Sequence, residues 1–319
     1  MPLLNATYRK PFFLFNAHLE TIYPALFRRI RDVQYERERL ELSDGDFVDL
    51  DWLDQGSRRL VLLTHGLEGN SDRHYIKGMA RHFASQGWDA LAWNCRSCSG
   101  EMNRNLRLYN HGEIEDIGEV IQHALRTKDY EEIVMIGFSM GGSITFKYLG
   151  VNSGKGNVPE VVRKAIGFST PCDLMASAHL LDDPRNKIYR DRFARMLFAK
   201  ISAKAEQFPG VVDLSNFEKI KVWKDFDNFF SAPINGYRDA DDFYYQASAI
   251  HYMEPIEIPC LLVNAINDPI LSPECSPEDF AQRKPNFFLE TPRHGGHVGF
   301  NLINSKTSWA ERRAWEFVN

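Results

Sequence analysis

Apolar and polar residues alternate over residues 33–42 and again over 47–53, with Ser43-Asp44-Gly45-Asp46 between them. That pattern predicts a β-hairpin with one face buried. At 59–64 (RLVLLT) the alternation gives way to a short continuous apolar run, the mark of a strand covered on both sides. Further strands are predicted at 88–93, 132–138 and 163–168, separated by helical patterns over 74–86, 113–126 and 139–149. Strand and helix in turn, with apolar strands, predict a mostly parallel sheet with helices on both faces, an α/β fold. The rhythm breaks near Pro171. From there to Ser248 the chain carries helical patterns, charges and aromatics without a clear strand, and strands resume at 259–265 and 286–290 before a last helix over 306–318. The expected organisation is one domain over 1–319 with a helical cap or lid, 171–248, inserted above the carboxyl edge of the sheet. Open α/β sheets bind their ligands at that edge.

Composition narrows the class. At 319 residues, 44% hydrophobic and 25% charged, the chain can bury a large single core. A net charge of -5 argues against a nucleic-acid partner, which selects a basic surface. Five cysteines, an odd number, do not form a disulfide framework. Cys95 and Cys98 make a single CxxC, but no second pair stands at zinc-binding spacing, so they are read as small apolar residues. The stretch 11–30 is apolar yet interrupted by Asn16, His18, Glu20 and Pro24, too broken for a membrane span. It is expected to pack across the domain; peripheral contact with lipid through Arg28, Arg29 and Arg31 is the alternative. With no secretory signal pattern, a cytoplasmic location is the expectation.

The sharpest chemical signal is Gly137-Phe138-Ser139-Met140-Gly141-Gly142, a GxSxG sequence between a predicted buried strand and a helix. A serine at the apex of that turn is strained, and small residues two positions away let strand and helix approach. Serine alone is a weak nucleophile, so a base and an orienting acid are needed, in the chain order serine, acid, histidine. Asp268 follows the strand ending near Ala265, and His297 follows the next strand, in His294-Gly295-Gly296-His297. Asp279 and His294 are the competitors; a short tether to the strand end favours Asp268, and the glycines before it favour His297. Two amides must face the developing oxyanion: that of Met140, after the nucleophile, and one from the loop after 59–64, for which Leu67 is chosen. His65 is read as a brace for that loop.

These residues resemble the YheT-like branch of the α/β-hydrolase superfamily, bacterial proteins related to eukaryotic single-domain esterases and lipases. The resemblance runs over most of the chain: NAHLETIYPALFRR (16–29), HGLEGNSDRHY (65–75), NCRSCSGEMNR (94–104), GFSMGG, APINGYRDADDFYYQAS (232–248) and HGGHVGF. It implies the α/β-hydrolase fold, a carboxylic-ester hydrolase, and Ser139, Asp268 and His297 as nucleophile, acid and base. Asn267 stands where a second acidic residue is common in similar chains. Eukaryotic relatives include acyltransferases and phospholipid-acting enzymes, but the HxxxxD pattern at His111 and Asp116, sometimes linked to acyl transfer, is read as a chance match at a helix entry.

The expected reaction is two-step acyl transfer on a small-molecule acyl ester, with no metal or organic cofactor. An acyltransferase with the same three residues is the alternative, and a non-catalytic ligand-binding protein on this fold the weaker rival. In the insertion, Phe226, Phe229, Phe230, Tyr237, Phe243, Tyr244 and Tyr245 are read first as packing, and second as an apolar pocket for an acyl chain.

Overall fold

The computed structural model of the protein describes residues 2–319. Among these residues nine strands form one sheet: β1 (Leu3–Leu4), β2 (Glu36–Glu41), β3 (Phe47–Leu53), β4 (Arg59–Thr64), β5 (Asp89–Asn94), β6 (Glu132–Phe138), β7 (Val162–Phe168), β8 (Cys260–Val263) and β9 (Phe287–Glu290). Their order is β1-β9-β8-β7-β6-β4-β5-β3-β2. Only the β2–β3 and β3–β5 pairs are antiparallel; the rest run parallel. This is the α/β-hydrolase fold.

The continuous apolar strands behave as their composition demands. In β4, Leu60 and Leu62 face one core layer, whereas Val61 and Leu63 face the other. In β6, Ile133 and Met135 oppose Val134 and Ile136 in the same way. Period-two geometry on a sheet buried from both sides thus consumes every apolar residue of the run. Helices α1 (Ala17–Phe27), α2 (His74–Ala84), α3 (Glu115–Thr127), α4 (Met140–Ser153), α5 (Leu174–Leu181), α6 (Lys187–Gln207), α7 (Ala240–Ala247), α8 (Glu278–Arg283) and α9 (Trp309–Val318) complete the main elements. Ile117, Val120 and Ile121 of α3 and Ile144 of α4 fill one layer; Ile76, Met79 and Phe83 of α2 with Ala310 and Ala314 of α9 fill the other.

The chain turns to opposite sides of β4 after β5, because β4 lies between β5 and β6. The loops leaving β4 and β6 therefore diverge and open a crevice at their carboxyl ends. Between Phe168 and Cys260 the described residues are helical or irregular, with α5, α6 and α7 the longest pieces.

Two local features depart from the expected pattern. The first strand of the hairpin is shorter than 33–42, and β1, two residues paired with Leu289 and Glu290, was not anticipated. Inside 11–30, α1 starts where the Asn16 side chain accepts from the Leu19 amide at 2.9 Å. The helix buries Glu20 and Pro24 and leaves Leu26 and Phe27 exposed, as are Phe12 and Phe15 ahead of it. Among the described residues, no helix is long and apolar enough to cross a membrane.

Candidate active site

Ser139 sits between β6 and α4 with φ 53° and ψ −124°, a backbone conformation costly for any side chain but glycine. The glycines around it explain how the turn closes. A Cβ on Gly137 would lie 2.2 Å from the Gly141 carbonyl oxygen, and one on Gly141 would lie 2.2 Å from that of Thr64. Strand, turn and helix therefore touch backbone to backbone.

Asp268 and His297 reach the same place from β8 and β9. His297 Nε2 lies 2.9 Å from Ser139 Oγ, and His297 Nδ1 lies 2.8 Å from Asp268 Oδ2. A carboxylate only accepts, so Nδ1 carries the proton and Nε2 is left to accept from the serine hydroxyl. The other Asp268 oxygen accepts from the Ile270 amide at 2.9 Å, which fixes the carboxylate plane. The competitors stand elsewhere: His294 is 3.6 Å from Glu20, and Asp279 lies in the first turn of α8.

The loop carrying His297 is held by residues that the sequence pattern did not single out. Glu20 Oε2 accepts from the Gly295 amide at 2.5 Å and from Asn267 Nδ2 at 3.2 Å, while Asn267 Oδ1 accepts from the Gly296 amide at 3.1 Å. The His297 amide donates to Thr21 Oγ1, and that of Val298 to Ser169 Oγ, each at 2.9 Å. The available clue was a lone carboxylate, Glu20, inside an apolar stretch, since a charge there must find a buried partner. Asn267, which departs from the acidic residue common in similar chains, works here as a two-way amide between α1 and the histidine loop.

The loop after β4 packs against Ser139: a Cβ on Gly66 would meet Ser139 Cβ at 3.0 Å. His65 braces it. The Cys95 amide donates to His65 Nε2 at 3.0 Å, so Nδ1 carries the proton toward the Gly66 carbonyl, 2.8 Å away. Burial pushes this imidazole down to about 4, which keeps it neutral. Glu68, at φ 54°, donates its amide to Tyr109 Oη at 2.9 Å, and its carboxylate lies 2.9 Å from Lys200 Nζ of α6. Met140 opens α4, where the first amides have no acceptor within the helix. Cys95 and Cys98 are buried thiols, and burial raises Cys98 to about 11. His111 and Asp116 do not bond to one another among the described residues; Arg96 grips Asp116 at 2.7 and 2.8 Å. Nor do the described residues contain a cluster of three or more His, Cys, Asp or Glu side chains arranged to hold a metal.

Two cavities share Ser139, His297 and Leu67 in their walls. One, of about 100 Å³, is apolar and runs under α5 and α6, lined by Leu174, Leu181, Phe193, Leu197, Phe226 and Phe243. Of the seven aromatics noted in 171–248, Phe226 and Phe243 reach it; Phe230 and Tyr244 are buried in packing and Tyr245 is exposed. The other cavity, roughly 610 Å³, opens between α1, the start of α2 and α6.

Asp227 also borders the apolar cavity, and burial pushes its carboxyl up to about 6 although Tyr244 Oη donates to it at 2.7 Å. A folded-state value raised above the unfolded one means that stability is fully present in acid and lost as pH rises through about 6. Asp227→Asn removes that loss. In urea titrations the variant should gain on the wild type between about pH 4 and about pH 6; a difference that stays constant with pH would show that the carboxylate is not strained by burial.

Residues 59–301 match the family model described as "alpha/beta hydrolase fold". The Escherichia coli (strain K12) protein named "Putative esterase YheT" is 33% identical over 93% of this chain and 88% of its own length. "Phospholipase ABHD3" of Homo sapiens is 26% identical over 99% of this chain and 80% of its own. Among solved structures, the Pyrococcus furiosus esterase Pf2001 superposes with a TM-score of 0.59 at 18% identity, covering 90% of each chain.

Proposed function

The chain belongs to the α/β-hydrolase fold family, in its YheT-like branch, and on that premise we propose that it is a serine hydrolase of carboxylic esters working through an acyl-enzyme. The observation that carries this reading is the unbroken relay from Ser139 Oγ to His297 Nε2 and from His297 Nδ1 to Asp268 Oδ2, at 2.9 and 2.8 Å. Ser139 Oγ attacks the ester carbonyl while His297 takes its proton, and Asp268 stabilises the imidazolium. The amides of Met140 and Leu67 receive the oxyanion. His297 then passes the proton to the leaving alcohol. In the second half, it deprotonates the water that releases the acid and frees Ser139. The relatives named esterase and phospholipase support ester chemistry for this site. We place the reaction in the cytoplasm, and read the helical segment 171–248 as a cap whose inner face receives the acyl chain.

The decisive test is labelling by a fluorophosphonate, which phosphonylates an activated serine. The wild type should label and Ser139→Ala should not; an unlabelled wild type would end the proposal. Chain length tests the acyl pocket. A space of about 100 Å³ holds on the order of four carbons, judged against larger apolar cavities that hold a benzene ring. Nitrophenyl esters should gain about fourfold in kcat/KM per methylene from acetate to butyrate, at ~0.8 kcal/mol for each buried methylene. A steady fall beyond acetate would contradict the pocket.

A further inference from the structure

The second cavity at Ser139 differs from the first in charge. Its wall includes Arg29, just beyond α1, Arg73, at the start of α2, and Arg192 and Arg195 on α6. Among the described residues, none of these four guanidiniums has a carboxylate within the 4.0 Å that defines an ion pair. The acidic groups in the same wall are already engaged: Glu68 by Lys200 at 2.9 Å and Asp72 by Lys77 at 2.6 Å. Arg28 is likewise paired with Glu311 at 2.6 Å. A chain with a net charge of -5 thus gathers four uncompensated cations on one cavity that opens at its nucleophile. Two of the four act on His74 in the same wall: it is held down to about 3 by burial first, then by the paired Arg28, and then by Arg73 and Arg29.

Placement gives this charge a chemical meaning. An ester bound at Ser139 extends in two directions, its acyl chain and its alcohol. The narrow apolar cavity suits the acyl chain and not an anion, because an anionic group there would lose its hydration with no Lys or Arg in the wall to meet it. The alcohol portion is left with the cationic cavity. Guanidinium forks match phosphate and carboxylate oxygens two at a time, and such charge-assisted bonds are the strong ones. We propose that the preferred ester carries an anionic group, phosphate or carboxylate, on its alcohol side, held by Arg192 and Arg195 of α6 together with Arg29. The proposal rests on the esterase reading above and adds the class of leaving group to it. Arg73 has a divided role, since it also donates to the Glu68 carbonyl at 2.5 Å and so supports the loop beside the nucleophile.

The test compares three soluble butyryl esters with the same acyl group: those of glycerol, glycerol 3-phosphate and glyceric acid. Wild-type kcat/KM should be about tenfold or more higher for an anionic ester than for the glycerol ester, and the advantage should shrink as salt rises. The glycerol 3-phosphate and glyceric acid arms show which oxyanion is read. Arg192→Ala/Arg195→Ala should erase the advantage while leaving turnover of butyrylglycerol unchanged. Equal rates on all three esters would overturn the proposal, as would a double variant that slows neutral and anionic esters alike. So would a preference found only when the ester is presented in phosphatidylglycerol vesicles, because attraction to a surface would then explain it. Nitrophenyl butyrate separates the two levels of the argument. Turnover of that ester without an anionic preference defeats the leaving-group proposal alone, whereas no turnover on any ester defeats the esterase reading and this proposal with it.

Discussion

Asp268→Asn should lower kcat by about 10⁴-fold while leaving the fold and the melting temperature nearly unchanged. The asparagine carbonyl can keep the bond from the Ile270 amide, which now ends on one carboxylate oxygen at 2.9 Å. The other oxygen, 2.8 Å from His297 Nδ1, becomes an NH₂ group. A donor facing Nδ1 forces the proton onto Nε2, and an Nε2–H cannot accept from Ser139. The imidazole stays in position with the wrong tautomer. Thermal unfolding and circular dichroism would establish that the variant is folded, and nitrophenyl butyrate turnover would give the loss. A variant within tenfold of wild type would show that Asp268 is not the orienting acid, and would direct attention to the Glu20–Asn267 pair on the same loop.

The second large effect is on folding. Gly141→Ala should yield no soluble folded protein, or a destabilisation of about 4 kcal/mol or more. The added Cβ would stand 2.2 Å from the Thr64 carbonyl oxygen and 2.7 Å from that of His65, both backbone atoms at the end of β4. A flexible side chain could swing away; a strand carbonyl in the centre of the sheet cannot. Relief would require α4 to separate from β4, opening the apolar layer that Met140 and Ile144 share with Leu62. Gly156→Ala is the matching control, since a Cβ there meets nothing within 4 Å. That glycine has φ 68°, so a cost of about 1 kcal/mol from backbone strain is expected there and no more. Comparable yields and midpoints for the two variants would mean that the turn around Ser139 is looser than its contacts imply.

Much of the architecture can be read from residue order because it follows from local rules. The runs at β4 and β6 match their observed bounds, since a strand buried on both faces leaves an uninterrupted apolar signature, and β3 matches through its apolar–polar alternation. The strained turn at Ser139 is equally local, as glycine two places on either side is the condition for closing it. β1 left no trace, because two residues are too short for any periodicity and are held by pairing with β9, far along the chain. The helical character of 171–248 was legible, but not which of its helices would face Ser139. Its aromatics drew attention, whereas Leu174, Leu181 and Leu197 of α5 and α6 form as much of the apolar wall.

By itself, then, the sequence determined the alternating sheet, the position of Ser139 at its edge, and the small set of acids and histidines from which partners could come. The tertiary structure alone decided the distances among them, the use of Glu20 and Thr21 to hold the histidine loop, and the division of the surrounding space into an apolar and a cationic side. The physical reason is the range of the forces involved. Backbone sterics and hydrophobic periodicity act between neighbours, so they are written in order along the chain. Contacts such as Glu20 with Gly295, 275 residues apart, exist only once packing has brought their elements together.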